Sequence, residues 1–220
     1  MTIIKNIPSL LLAGLFMLAT GCAVTPYNYS ALNEAKPRSI VVIPPVNSSV
    51  EVDAPYIYLS TISKPLAEKG YYVFPVSVID NFLKENGLPT PAEMNSISLD
   101  KIRENIGADA VLYVEIIDWG QKYNVLSSNA VVRAKLRLID TRTGSLLWDA
   151  EAHAIQEGSG SGGGIVGLLI GAIINQIAGS IVDVTPDLSR TANEAVFSSQ
   201  KRGLLKGPYA QPSKVLAETE

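Results

Sequence analysis

From Val131 to Ala154 the chain alternates apolar and polar residues too regularly for any structure but paired strands. Val132, Ala134, Leu136 and Leu138 form one face of the first strand, and Arg133, Lys135 and Arg137 form the other. Asp140-Thr141-Arg142-Thr143-Gly144 makes the turn, with glycine where a positive φ is needed. Leu146, Trp148, Ala150, Ala152 and Ala154 then form a second apolar face, opposite Asp149, Glu151 and His153. Near-direct registers set Lys135 or Arg137 across from Asp149, and Arg133 or Lys135 across from Glu151, so opposite charges meet on the wet side. A hairpin with a single apolar face must lay it against other elements, and the rest of the chain supplies them.

Ser39 to Ile43 is a continuous apolar run ending at Pro44-Pro45, the pattern of a strand buried on both faces. Asp53 is a candidate N-cap for a helix that runs to Gly70, a suitable C′ residue, with Pro65 predicting a kink or restart. Tyr71 to Pro75 reads as a short strand with one of its two tyrosines in the core, and Val78 to Asn86 as a helix stopped by Gly87 and Pro89. Ser98 caps a third helix to Ile106, with Gly107 beyond it, and Val111 to Trp119 is a strand with a possible bulge at Gly120. Thr185-Pro186 reads as N-cap and N1 of a last helix with Leu188, Ala192, Ala195 and Ser199 on one face. The predicted order is β-α-β-α-α-β-β-β-α-α. This is an α/β chain with a mixed sheet of about five strands and helices packed on it. The predicted units are a signal peptide over 1–21, a lipidated cysteine and tether over 22–38, and one domain over 39–200. A flexible link over 158–164 lies inside that domain, and a mobile tail over 201–220 follows it.

The amino terminus places the protein. Lys5 and the apolar stretch Ile7–Leu18, too short to span a bilayer as a helix, form a secretion signal. Ala19-Thr20-Gly21-Cys22 resembles a bacterial lipobox, with Ala19 where that pattern prefers leucine. Cys22 is the sole cysteine of 220 residues and stands at the cleavage point, so it is the predicted lipidation site. Ala23 follows it where Asp would signal inner-membrane retention, so this resemblance implies the outer membrane. Ala23 to Arg38, polar and carrying Pro26 and Pro37, is predicted to be a tether spanning at most ~50–60 Å.

Composition narrows the chemistry. The chain is 47% hydrophobic and 18% charged, which excludes a disordered chain. Its net charge of −3 argues against a nucleic-acid binder. One His and one Cys make a Ser-His-Asp triad or a His-ligated metal centre hard to build, so no catalytic, metal or cofactor site is expected. Gly158-x-Gly160-x-x-Gly163 with Asp183 matches a dinucleotide fingerprint in spacing only: the strand before it belongs to an antiparallel hairpin, and a helix follows where a parallel strand is required. His153 with Asp149 and Glu151 reads as a solvated strand face opposite Arg and Lys. Gly163, Gly167, Gly171, Asn175 and Gly179 recur every four residues within the apolar segment after the link, a small-residue stripe on one side of a helix. Core packing, a seam between subunits and membrane insertion all fit such a stripe; Asn175 and Gln176 near its centre favour the first two.

Several stretches together carry a resemblance. They are Ser39 to Asn47, Tyr58-Leu-Ser-Thr61, Pro65 to Pro75, Lys84 to Leu88, Gly107 to Tyr113, the Asp140–Trp148 turn and Gly203-Leu-Leu205. They resemble a family of Gram-negative lipoproteins of unassigned function that includes a neisserial surface-antigen candidate. The resemblance covers nearly all of the chain after Cys22. It implies a fold similar to the amino-terminal domain of TolB, to the lipoproteins that activate penicillin-binding proteins and to the curli-secretion lipoprotein. It brings no catalytic residue. The expected role is an accessory or activator of an envelope assembly, acting through protein partners and self-association, with a subunit of a secretion or export complex as the alternative.

Overall fold

A computed structural model describes residues 26–124, 127–157 and 183–211. The order begins with helix α1 (Ser30–Ala35), strand β1 (Ser39–Val42), strand β2 (Val46–Asn47), helix α2 (Ala54–Glu68) and strand β3 (Tyr72–Val73). Helices α3 (Val76–Glu85), α4 (Pro91–Met94) and α5 (Leu99–Asn105) follow, then strands β4 (Ala110–Asn124), β5 (Ser127–Asp140) and β6 (Leu146–Glu157), and helix α6 (Thr185–Ser198). The sheet has six strands in the order β3-β1-β4-β5-β6, with β2 also on β4. Strands β1, β2 and β3 pair parallel to their neighbours, while β4, β5 and β6 form an antiparallel meander. The mixed α/β sheet is as the alternation predicts, with one strand more than expected.

Strand β1 lies between β3 and β4, and Ile40, Val41 and Val42 are buried, as an unbroken apolar run requires. Pro44-Pro45 ends it, and the chain returns to the same side of β4 as β2, where Val46 faces Glu115. Ser98 does cap α5, its hydroxyl accepting from the Lys101 N–H. Thr90 and Glu93 form a reciprocal capping box on α4, a short helix the sequence reading passes over. Pro65 does not break α2, which is one helix with Pro65 buried on its inner side. Asp53 occupies the N-cap position without a side-chain bond, and Thr185 is the first helical residue of α6 rather than its cap. The irregularity in β4 falls between Ile116 and Asp118, not at Gly120. Gly120 instead holds a φ of +97°, where a Cβ would come within 2.9 Å of Glu51 Cγ.

Two apolar layers flank the sheet. On one face Tyr58, Ile62 and Leu66 of α2 and Leu188, Ala192 and Val196 of α6 meet Leu112, Leu136, Leu138 and Trp148. Between these helices Thr61 Oγ1 lies 2.8 Å from Ser189 Oγ and accepts from Asn193 Nδ2 at 3.1 Å. On the other face Ile79, Leu83, Met94 and Ile102 of α3–α5 cover Val41, Ile43, Val111 and, in part, Tyr113. That second layer stops at the start of β4, so the meander presents its polar face to solvent.

Both ends of the described domain pack more closely than the sequence suggests. Residues 30–35, expected within the tether, form α1 and bury Leu32. Residues 201–210, expected in a mobile tail, form a strap. Gly207 N–H donates to Lys69 O at 2.7 Å, Tyr209 N–H to Gly70 O at 2.9 Å, and Leu204 is buried. Gly70 closes α2 with a φ of +88°, and a Cβ there would lie 2.1 Å from Ala210 N. Gly70→Ala therefore meets a disfavoured backbone and a backbone clash together. It is expected to cost more than about 1 kcal/mol, read as a lower melting temperature with faster proteolysis near residue 205.

Candidate functional site at the amino-terminal root

The first described residues are fixed by polar contacts that close over the outer edge of β6. Tyr27 donates its hydroxyl proton to Asp149 Oδ1 at 2.8 Å and accepts the Asp149 N–H at 3.1 Å. Arg202 Nη2 pairs with Asp149 Oδ2, and its Nε donates to Asp149 O at 2.7 Å. The same guanidinium lies 4.5 Å from the Tyr27 ring centroid. Tyr29 stands edge-on to Tyr27 at 4.7 Å and donates to Gly203 O at 2.6 Å. Burial and the hydrogen bond to Asp149 push the Tyr27 hydroxyl above its usual pKa, so it stays a donor at neutral pH. The amino-terminal segment, the strap and β6 are thus tied at one point, five residues after Cys22. Five residues reach at most about 18 Å, roughly a third of the tether length expected from sequence.

Beside the root lies a cleft of about 300 Å³ between α1, Tyr71 and the strap. Leu32, Pro37, Tyr71, Leu205 and Pro208 line it, and Lys36 and Lys206 stand at its mouth. Tyr71 donates to Leu205 O at 3.0 Å, and burial pushes its hydroxyl up to about 12. A larger groove of about 620 Å³ runs between α3 and α5, with Phe82, Leu88 and Ile97 inside and Lys101 and Glu104 on its walls.

The turn between β5 and β6 shows why its polar residues are there. Asp140 Oδ1 accepts the N–H groups of Arg142 and Thr143 at 2.7 and 3.0 Å, and Arg142 Nη2 reaches Oδ2 at 3.2 Å. Burial works against ionisation of Asp140. The Arg142 side chain and the two backbone donors outweigh it and hold the carboxyl below the usual carboxylate range. A depressed pKa gives stability that is present above the unfolded carboxyl's pKa and lost as pH falls through the folded one. Asp140→Ala should therefore cost about 1–3 kcal/mol at neutral pH. The gap from the parent protein should narrow in melts taken below about pH 4, where the unfolded carboxyl protonates.

Among the described residues, those singled out in the sequence fall at two separate places, the start of α6 and strand β6. Cys22, the stripe Gly163, Gly167, Gly171, Asn175 and Gly179, and the glycines Gly158 and Gly160 lie outside the described residues. Asp183 lies two residues before α6, its Oδ1 accepting from Thr185 N at 3.0 Å and Thr185 Oγ1 at 2.7 Å. Asp149 is held by Tyr27 and Arg202, Glu151 lies 3.9 Å from Arg133, and His153 pairs across the sheet with Arg133. Among the described residues no three His, Cys, Asp or Glu side chains are placed to hold a metal. Among them, too, no helix is long and apolar enough to cross a membrane. Sequence reasoning missed the Tyr27–Asp149–Arg202 knot. Its signal was the run of aromatic residues Tyr27 and Tyr29 in a stretch otherwise polar.

Comparison with known proteins places the chain. Residues 27–209 match the family described as "Putative lipoprotein GNA1162-like", and the chain belongs to that family. It is 40% identical over 184 residues to the Neisseria meningitidis protein named "Putative lipoprotein NMB1124/NMB1162", covering 83% of this chain and 85% of the relative. It is similar to the crystal structure of lipoprotein GNA1162 from Neisseria meningitidis, with 37% identity, a TM-score of 0.54, and 57% of this chain and 88% of the other covered. A more distant likeness is to the PelC dodecamer from Paraburkholderia phytofirmans. It has 17% identity and a TM-score of 0.44, with 79% of this chain and 95% of the other covered.

Proposed function

We propose that this member of the GNA1162-like family is an outer-membrane lipoprotein, acylated at Cys22, whose domain faces the periplasm. It binds other envelope proteins as an accessory or activator of an assembly in cell-wall synthesis or transport. The observation that carries this reading is the uncovered face of the meander. There Glu115, Lys135 and Glu151 form one row across β4, β5 and β6, and Arg137 stands beside it on β5. Glu115, Lys135, Arg137 and Glu151 are exposed, because α3–α5 end before reaching them. A row of alternating sign selects a partner with the complementary pattern and penalises one without it. The export-subunit alternative depends on residues 165–182, outside the described part.

The test places a photo-crosslinking residue at Lys135 or Arg137 in intact cells, with Lys64 on α2 as the control position. A discrete adduct from the meander face and none from Lys64 supports the reading. No adduct from the meander face, or the same adducts from Lys64, overturns it.

A further inference from the structure

The cleft beside the amino-terminal root carries a set of charges that the protein-binding face does not use. Lys36 and Lys206 flank it, and Lys69 adjoins Lys206 through the Gly207 N–H to Lys69 O bond. None of the three lysines is in an ion pair among the described residues; every carboxylate bridge there is made to another cation. Arg38 adds a fourth cation nearby, held by the Tyr209 hydroxyl at 2.9 Å. The acids in this region are Asp109, which accepts the N–H groups of Arg38 and Ser39, and Glu34 on α1. Lys36 holds a left-handed backbone with φ +45°, costly for a residue with a Cβ, where a helix ordinarily ends on glycine. Burial, and then the charge of Lys206, hold Lys69 below the usual lysine range, so the pair would gain from an anion between them.

We propose that this cleft receives the phosphate of an anionic lipid headgroup in the membrane that anchors the chain. Lys36 and Lys206, the exposed cations among its lining residues, match the charge of a headgroup phosphate. The tether supplies the geometry. Cys22 is five residues from Tyr27, and α1, about 9 Å long, is all that separates the root from Lys36. The cleft therefore stands close to the bilayer surface. The inference rests on Cys22 as the anchor.

The experiment uses the secreted chain carrying Cys22→Ser, so that no acyl group contributes. Its sedimentation with vesicles of phosphatidylcholine alone is compared with phosphatidylcholine vesicles containing about 30% phosphatidylglycerol. Binding should require the anionic lipid and weaken as salt rises. Lys36→Glu with Lys206→Glu should lower the affinity at least 20-fold, taking roughly fivefold per lysine near a charged surface. The charge-matched pair Lys64→Glu with Lys101→Glu should leave it within about twofold of the parent, and all chains should melt alike. Equal loss in both double variants, or binding that needs no anionic lipid, overturns the assignment. So does inorganic phosphate that binds the chain and displaces it from vesicles at equal concentration, which would mark a free-anion site. Labelled palmitate incorporated into the parent chain reports separately on Cys22, so failure of the anchor and failure of the cleft are distinguishable.

Discussion

Replacing Trp148 with alanine is expected to remove about 3–5 kcal/mol, a large share of the roughly 5–15 kcal/mol that holds a domain of this kind together. Trp148 is fully buried on β6, opposite Leu138 on β5 and 5.5 Å from the ring of Phe197 in α6. Its Nε1 donates to Arg202 O at 2.8 Å, so one side chain joins the meander, the last helix and the strap. Alanine leaves a cavity that three elements would have to collapse to fill. Trp148→Phe separates the two contributions: it retains most of the packing and loses only the bond to Arg202, about 0.5–1.5 kcal/mol. Denaturant melts are the measurement. A loss under about 1 kcal/mol for the alanine variant would show that the strap and α6 are held by other contacts.

The same residue shows what a sequence reveals and what it hides. The period of two around Trp148 fixed the meander, and its register falls within the predicted choices, with Arg137 across from Asp149 and Lys135 across from Glu151. Leu146 was expected in the core and is exposed, because a register shift between Leu138 and Ile139 turns Leu147 inward in its place. Such a shift depends on how the turn closes, which alternation does not encode. Strand β2 is two residues long and exists because β4 runs past the end of β1, a property of the partner strand rather than of Val46 and Asn47. Helix α1 has no capping side-chain bond and six residues, too few for periodicity to declare it; burial of Leu32 and the Tyr27 contacts hold it. The strap is legible only in hindsight. Gly203 and Gly207 each permit a backbone approach that a Cβ would block, at 2.3 Å from Ser199 O and 2.4 Å from Gly70 O, and those neighbours lie close only once the chain is folded.

The candidate site was legible in its chemistry and not in its geometry. One cysteine behind a lipobox-like stretch makes its thiol the proposed site of acylation, since a lone thiol has no disulfide partner in the chain. The reach of the anchor could not be read from composition. Polar residues and prolines describe a tether and a docked segment equally well, and the difference lies in Asp149 and Arg202, 122 and more residues away along the chain.

Cys22→Ser is expected to move the protein from the membrane fraction to a soluble periplasmic or unprocessed form. A single acyl chain binds membranes only marginally, with an association constant of about 10⁴ M⁻¹, and each buried methylene contributes about 0.8 kcal/mol. A cysteine carrying a diacylglyceryl group and an acylated amine places three chains in the bilayer, so its loss removes membrane affinity by many orders of magnitude. The contacts of the cleft lysines do not replace it: roughly 1 kcal/mol for each of Lys36, Lys69 and Lys206 is screened by salt and stripped by an alkaline carbonate wash. A second variant isolates the anchor from the docking it permits. A Gly/Ser insertion of 20 residues between Val24 and Tyr27 would leave Cys22 intact and give the root a random-coil reach of roughly 25 Å beyond the present span. It should remain in the carbonate-resistant membrane fraction while Lys36 and Lys206 become more open to lysine-reactive reagents. Membrane partition of the serine variant after the wash would place the anchor elsewhere in the chain. Release of the insertion variant would show that membrane residence depends on the domain being held close, and not on the acylated cysteine alone.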